Sequence, residues 1–449
     1  MTDSTLGART DTPALHKVSD FQRSYAMWLL LIVYVLNFVD RQVINILAEP
    51  IKNELGLSDS AVGAMTGLYF ALFYTVLGLP IARLADRSHR PRIIAAALLV
   101  WSGFTALSGF AQNFWQLAAA RIGVGIGEAG CTPPAHALIA DLNPKEKRAS
   151  ALAFYSMGTP IGAVLGTIAG GVFADAFGWR MAFLVCGLPG VILAIVVALT
   201  LAEPRARQLV AGVKNAATKT ATIPEVLKVL FTKRTFWLIA FAASIKAFIG
   251  YGHAPFTASF FLRTHIEEIT AMASYFHMKP LGFLSVFIGL IAGLGGVVGT
   301  LLGGVIADRY GKTDYRAWAG VPAIASIAVI PLFIAGMLAH SALIAIPIFG
   351  VTAILGTLWY GPVYATAQSI APPHMRAVTS AILLFVINLI GLGLGPLAVG
   401  ALSDFLAKEM AYGVADGLRW ALIISSLAGI GAFILFWLAR RTIREEMVS

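Results

Sequence analysis

Twelve apolar runs, each long enough to cross a lipid bilayer as a helix, recur along this chain with short polar connectors between them. About 20 apolar residues are needed to span the hydrocarbon core. Windows of that length fall at roughly 25–48, 60–82, 92–111, 114–140, 149–174, 181–201, 235–262, 282–306, 317–339, 341–370, 377–403 and 419–439. We number them span 1 to span 12. Only 12% of the 449 residues are charged, against about 25% in ordinary soluble domains, so a soluble chain of this composition could not cover its own surface. The expected fold is an all-α membrane protein of twelve transmembrane helices. The polar segment 1–24 lacks the basic-then-apolar order of a cleaved signal peptide, so span 1 is expected to be retained.

The positions of the charges set the topology. With the N-terminus, the even-numbered loops and the C-terminus on one face, that face carries 24 of the 33 Lys and Arg residues. The other face has six: Lys52, Arg180, Arg263, Lys279, Lys408 and Arg419. Basic residues collect on the cytoplasmic side of short loops, which predicts cytoplasmic termini in the plasma (cell inner) membrane. The net charge of +10 is thereby a topology signal, and no nucleic-acid partner is expected. Cys131 and Cys186 sit inside spans at no metal-ligand spacing, so neither a metal nor a disulfide is expected. The chain has no nucleotide-binding loop and no nucleophile–base pairing, which argues against an enzyme, ATP or any other cofactor.

The chain repeats itself. Asp86-Arg87-Ser-His-Arg90 after span 2 returns as Asp308-Arg309-Tyr-Gly-Lys312 after span 8, 222 positions later. Gly162, Gly166, Gly171 and Asp175 of span 5 return as Gly391, Gly395, Gly400 and Asp404 of span 11, all displaced by 229. Pro133 and Pro144 return as Pro362 and Pro373 at the same offset, and Arg148 near it as Arg376. Two parallel six-helix bundles are therefore expected, at 25–201 and 235–440. A cytoplasmic tail (1–24), a linker (202–234) and a C-terminal tail (441–449) complete the chain. In the linker, Thr222-Ile-Pro-Glu225 reads as a capping box opening a short helix. That helix lies either on the inner leaflet or in solvent. The glycine ladders serve either close packing alone or sliding of helices at the seam between halves.

Five ionisable groups fall within the spans: Asp40, Arg41, Arg121, Glu128 and Lys246. Each costs roughly 2.5–3.5 kcal/mol at mid-membrane, so each needs a partner or a function. Asn37, Arg41 and Asn45 repeat every four residues and form one polar stripe facing the interior. Arg121 and Glu128 share a face of span 4, about 10 Å apart along the axis. We expect Glu128 to meet Arg41 with Asp40 nearby. This set either holds spans 1 and 4 together or binds a proton at one carboxylate while Arg41 contacts an anion. Lys246 and His253 share a face of span 7, facing span 1 or snorkelling to the interface. Trp359, Tyr360 and Tyr364 of span 10 suit an amphipath or plain packing, and His136 is either a relay or a satisfied buried histidine.

The two Asp-Arg loops resemble the cytoplasmic loop signature of the major facilitator superfamily, although Ala82 and His89 stand where glycine is usual in the first copy. Leu36-Asn-Phe-Val-Asp40-Arg41, Arg121-Ile-Gly-Val-Gly-Ile-Gly-Glu128, Leu138-Ile-Ala-Asp141-Leu142, Arg148 and Phe154-Tyr155 are similar to the spinster branch. Cys131-Thr-Pro-Pro134 with His136 departs from it. The resemblance implies alternating access by a proton-linked carrier of lysolipids or sphingoid phosphates. Asp40 and Glu128 would be its proton sites. Arg41, Asn37, Arg121, Asn45, His136, Tyr155, Lys246, Trp359, Tyr360 and Tyr364 would surround its substrate. Asp86, Arg87, Arg90, Arg148, Asp308, Arg309 and Arg376 would form a cytoplasmic gate. The expected partners are a lipid-like or organic anion, protons and membrane lipids, with the protein acting as a monomer. A carrier of small organic anions or hydrophobic drugs, or a non-transporting receptor, would fit the same spans.

Overall fold

In a computed structural model the described residues are 19–144, 147–205 and 222–447, and every regular element among them is helical. Eleven helices are long and apolar enough to cross a membrane. The twelfth crossing is span 4, divided into Phe114–Glu128 and Thr132–Leu142, neither long enough alone. The division follows from sequence. Pro133 and Pro134 have no amide to donate to the carbonyls one turn earlier, so the helix cannot run through Ala129 and Gly130. The repeat reproduces it: Pro362 interrupts span 10 between Ala342–Thr357 and Tyr360–Ile370.

The remaining spans are continuous or nearly so. Span 1 is Asp20–Ile46, opened by a capping box in which Ser19 and Gln22 exchange hydrogen bonds. Span 2 runs over Asp59–Gly63, a π-helical turn Ala64–Leu68 and Tyr69–Arg87. Spans 3, 5 and 6 are Arg90–Ser108, Ser150–Phe177 and Trp179–Thr200. Spans 7, 8 and 9 are Arg234–Thr264, Pro280–Gly311 and Ala317–Met337, and spans 11 and 12 are Val378–Lys408 and Gly413–Glu446. Ile192, Ile195 and Leu199 of span 6 and Leu294, Leu301 and Val305 of span 8 are exposed. Such apolar belts suit a hydrocarbon solvent.

Two short helices lie where only connectors were expected, Ala48–Leu55 after span 1 and Ile266–Tyr275 after span 7. The linker helix Ile223–Phe231 carries the expected capping box, Thr222 with Glu225. Its Val226 and Leu230 are buried in one cluster with Phe236 and Ile443, so it is docked on the second half.

The glycine ladders seat helices pair by pair. A Cβ on Gly162 would lie 2.3 Å from the Val35 carbonyl oxygen and one on Gly166 2.7 Å from that of Val39, so span 5 rides on the backbone of span 1. Gly391 and Gly395 do the same for span 11 against Ala247 and Phe248 of span 7. Spans 5 and 11 also reach across to the other half, against spans 8 and 2 respectively. The repeat is thus structural as well as sequential.

Candidate functional site

Arg41 and Glu128 meet. Arg41 Nε donates to Glu128 Oε2 at 3.1 Å, and Nη2 donates to the same oxygen. Glu128 is the last residue before the break in span 4 and is 1% exposed. Its other oxygen, Oε1, is buried and makes no bond to Arg41; its polar neighbour is the Asn37 side chain, whose Nδ2 stands close to the carboxylate without well-formed hydrogen-bond geometry. The Arg41 guanidinium carbon lies 5.0 Å from the ring centres of Phe38 and Phe70 and 4.9 Å from that of Tyr74. These aromatic faces supply cation–π contact to a charge held away from bulk water.

Asp40, on the other side of span 1, is fully buried and turned toward span 3, where Ser102 Oγ donates to its Oδ2 at 3.0 Å. It does not bond to Arg41. Arg121 is 1% exposed, packs over Phe70 at 5.2 Å, and has no ion pair within 4.0 Å among the described residues. Its charge acts at longer range on Glu128 and Asp40. The expected set of two carboxylates about one guanidinium is therefore two carboxylates and two guanidiniums in balance, with only Arg41 and Glu128 in contact.

The second half brings rings to this place. Tyr251 of span 7 and Tyr74 of span 2 both lie close to Arg41. Tyr364 of span 10 neighbours Tyr251, Tyr34 and Tyr74. Tyr251 packs against the buried clusters of both halves. Tyr360 stacks on Trp359 at 4.0 Å and on Tyr364 at 6.5 Å. Behind span 1, Tyr34 stacks on Tyr155 at 4.3 Å, and His136 meets Tyr155 edge-on at 5.5 Å. Sequence reasoning missed Tyr34, Tyr74 and Tyr251, because a tyrosine in an apolar helix reads as packing. Asn45 bonds to Gln42 on its own helix and stays outside the cluster. Lys246 is buried, and its titratable neighbour is His253, which bonds to Ser425 at 2.9 Å and stacks on Phe333. That face of span 7 thus turns into the second half, away from span 1.

The ion pairs differ between the two faces. On the face opposite the termini, Arg263 of span 7 binds both Glu49 (2.6 Å) and Asp59 (2.8 Å), joining the halves. On the face with the termini, every ion pair among the described residues stays within one half. Arg90 pairs with Asp141 and Glu203, and Arg444 with Asp314. Burial alone would raise the Glu203 carboxyl, but the hydrogen bonds and charge of Arg90 outweigh it and hold it below the usual carboxylate range. Arg148 and Arg376 donate to the carbonyls of Asn143 and Ala371, the same five-residue reach in each repeat. Asp308 and Arg309 are exposed, and the side chains of Asp86 and Arg87 lie outside the described residues.

A family model for the Major Facilitator Superfamily matches residues 30–396. An MFS-type efflux pump of Mycolicibacterium smegmatis is 32% identical over 424 residues, 94% of this chain and 94% of that protein. Protein spinster homolog 3 of Danio rerio is 28% identical over 448 residues, 97% of this chain and 88% of that protein. A bacterial homolog of the human lysosomal transporter Spinster, solved in an inward-facing and unoccupied conformation, matches with a TM-score of 0.84 at 30% identity, covering 96% of this chain and 100% of that one. With these matches and a twelve-span helical fold, the chain is a multi-pass membrane transporter, not an enzyme, and it belongs to the spinster branch of the major facilitator superfamily.

Proposed function

We propose that this protein is a proton-coupled secondary active transporter moving an amphipathic anion, such as a lysophospholipid or sphingoid phosphate, across the plasma membrane. It works as a monomer with both termini cytoplasmic, residues 25–201 rocking against 235–440. The observation that carries the reading is a division of labour. The charged groups Asp40, Arg41, Arg121 and Glu128 all come from the first half, with Phe38, Phe70 and Tyr74 about Arg41, while the second half contributes rings without charge, Tyr251, Trp359, Tyr360 and Tyr364. A small anion held by charge alone would favour cations from both halves. A headgroup with a tail favours charge on one wall and rings on the other.

Coupling follows from charge balance. With both carboxylates ionised, two positive and two negative charges cancel and Arg41 is held by Glu128. A proton taken at Oε1, the oxygen that Arg41 does not hold, weakens that hold and leaves Arg41 donors for an oxyanion. Proton and anion then enter together without net charge. Asp40 is the second proton site. The loops at Asp86-Arg87 and Asp308-Arg309, with Arg90, Arg148 and Arg376, are the cytoplasmic latch of the alternate state, and exposure of Asp308 and Arg309 is consistent with a latch now open.

The test is uptake of a lysophospholipid panel into proteoliposomes under a pH gradient, with wild type, Glu128→Gln and Asp40→Asn compared. We expect proton-driven flux to fall at least about tenfold in Glu128→Gln while binding persists. Flux indifferent to pH and to both substitutions would remove the proton role, and binding without flux would favour a receptor. The 32% identity to an efflux pump supports a second reading, a carrier of small organic anions or hydrophobic drugs, which would displace lysolipid in competition binding.

A further inference from the structure

The repeated stretches Gly171-Val-Phe-Ala-Asp175 and Gly400-Ala-Leu-Ser-Asp404 end spans 5 and 11 on the face opposite the termini, away from the charged site. Asp404 accepts hydrogen bonds from the backbone amides of Asp59 (3.0 Å) and Ser60 (2.8 Å), the first of span 2 in the other half. Asp175 accepts one from the amide of Gly282 in the first turn of span 8, again across the seam. Lys279 donates to the backbone carbonyl of Asp175. One helical turn earlier the glycine sets the approach. A Cβ on Gly400 would lie 2.1 Å from the Asp59 carbonyl oxygen, and one on Gly171 2.2 Å from the Ser285 Cβ.

The crossing of spans 2 and 11 is braced further. Ser403 Oγ donates to Asp59 at 2.7 Å, and Lys52 and Arg263 both pair with Asp59. The crossing of spans 5 and 8 has the cap, Lys279 and one long hydrogen bond from Ser285 Oγ to the Ile168 carbonyl at 3.4 Å.

We propose that Asp175 and Asp404 are paired latches of this face, each a helix cap lent by one half to the other. The amides at a helix start have no partner within their own helix, and a carboxylate there gains both hydrogen bonds and the favourable end of the helix dipole. Because donor and acceptor sit in different halves, the caps exist only while this face is shut and are exchanged for water when it opens. The inference rests on the alternating-access reading above.

The experiment places nitroxide labels at Gln112→Cys and Ser274→Cys, exposed positions on this face in the two halves, in the full chain in lipid nanodiscs. The native Cys131 and Cys186 are buried. Distances are read by pulsed double resonance. Loss of a cap of ordinary strength is expected to raise the long-distance population about fivefold in Asp175→Ala and in Asp404→Ala, and more in the double variant. Asp404→Asn, which keeps one acceptor oxygen, should fall between. Gly171→Ala and Gly400→Ala wedge the same crossings and should move the distances the same way, which keeps the test decisive if an aspartate variant does not fold. An unchanged distribution in the monodisperse double variant overturns the latch. Proton-linked flux is measured on the same proteins. Normal flux with unmoved distances sinks the latch and leaves the transport reading standing, whereas shifted distances with no flux in wild type do the reverse.

Discussion

At Arg41 one guanidinium is shared between a carboxylate and three aromatic rings. A flat, delocalised cation can do this; a lysine ammonium would keep the charge and lose the stacking. Breaking a buried pair from one side leaves an uncompensated charge and costs about 3–5 kcal/mol, whereas removing both partners costs far less. Arg41→Ala should therefore lower the thermal unfolding temperature in detergent more than Arg41→Ala combined with Glu128→Ala. Additive losses in the double variant would mean that the pair contributes no mutual stabilisation. At the face with the termini, Glu203 has a depressed pKa in the folded protein. Its contribution is fully present above the unfolded value of about 4.3 and is lost as pH falls through the lower folded value. Wild type should lose stability more steeply than Glu203→Gln on acidification below about pH 4.3; parallel curves would contradict the assignment.

Among the helices, close approach decides what a methyl group does. Glycine to alanine in a helix interior ordinarily stabilises by about 0.5–1 kcal/mol. Gly304 has nothing within 4 Å of a built Cβ, while at Gly162 the Val35 carbonyl oxygen lies 2.3 Å away. Gly304→Ala should thus be neutral or stabilising, and Gly162→Ala should destabilise, since span 1 cannot shift without moving Arg41. Equal melting temperatures for the two variants would refute this. Much of the architecture was legible because a crossing helix needs a minimum apolar length and a repeat preserves spacing. The meeting of Arg41 and Glu128 was legible because intramembrane charges have few alternatives. The pairing of Arg263 with Glu49 and Asp59 was not, since no local period links residues more than 200 positions apart. Nor were the helices Ala48–Leu55 and Ile266–Tyr275, whose few turns cannot be told from connector. Tyr74 and Tyr251 carry no pattern that separates a site-facing ring from a packed one. Asp175 and Asp404 were visible as a repeat, but the amides they cap are backbone and leave no mark in sequence.

For the molecule as a whole, the proposed separation of headgroup and tail between halves makes selectivity separable as well. Short lysolipids of about four to eight carbons stay dissolved in water, so their binding reports transfer from water into the protein. Full burial of each methylene is worth about 0.8 kcal/mol, or up to roughly fourfold in affinity. If the second half supplies the apolar wall, affinity should climb with chain length at some fraction of that slope. Tyr364→Ala should flatten the slope, while Arg41→Lys should weaken every member of the series by the same factor. Arg41 and Tyr364 share Tyr74 and Tyr251 as neighbours, so the effects of the two substitutions should couple rather than simply add when combined. A series with no dependence on tail length, still abolished by Arg41→Lys, would point instead to a small organic anion, with the tyrosines serving as hydrogen-bond donors to its oxygens rather than as a wall for a chain.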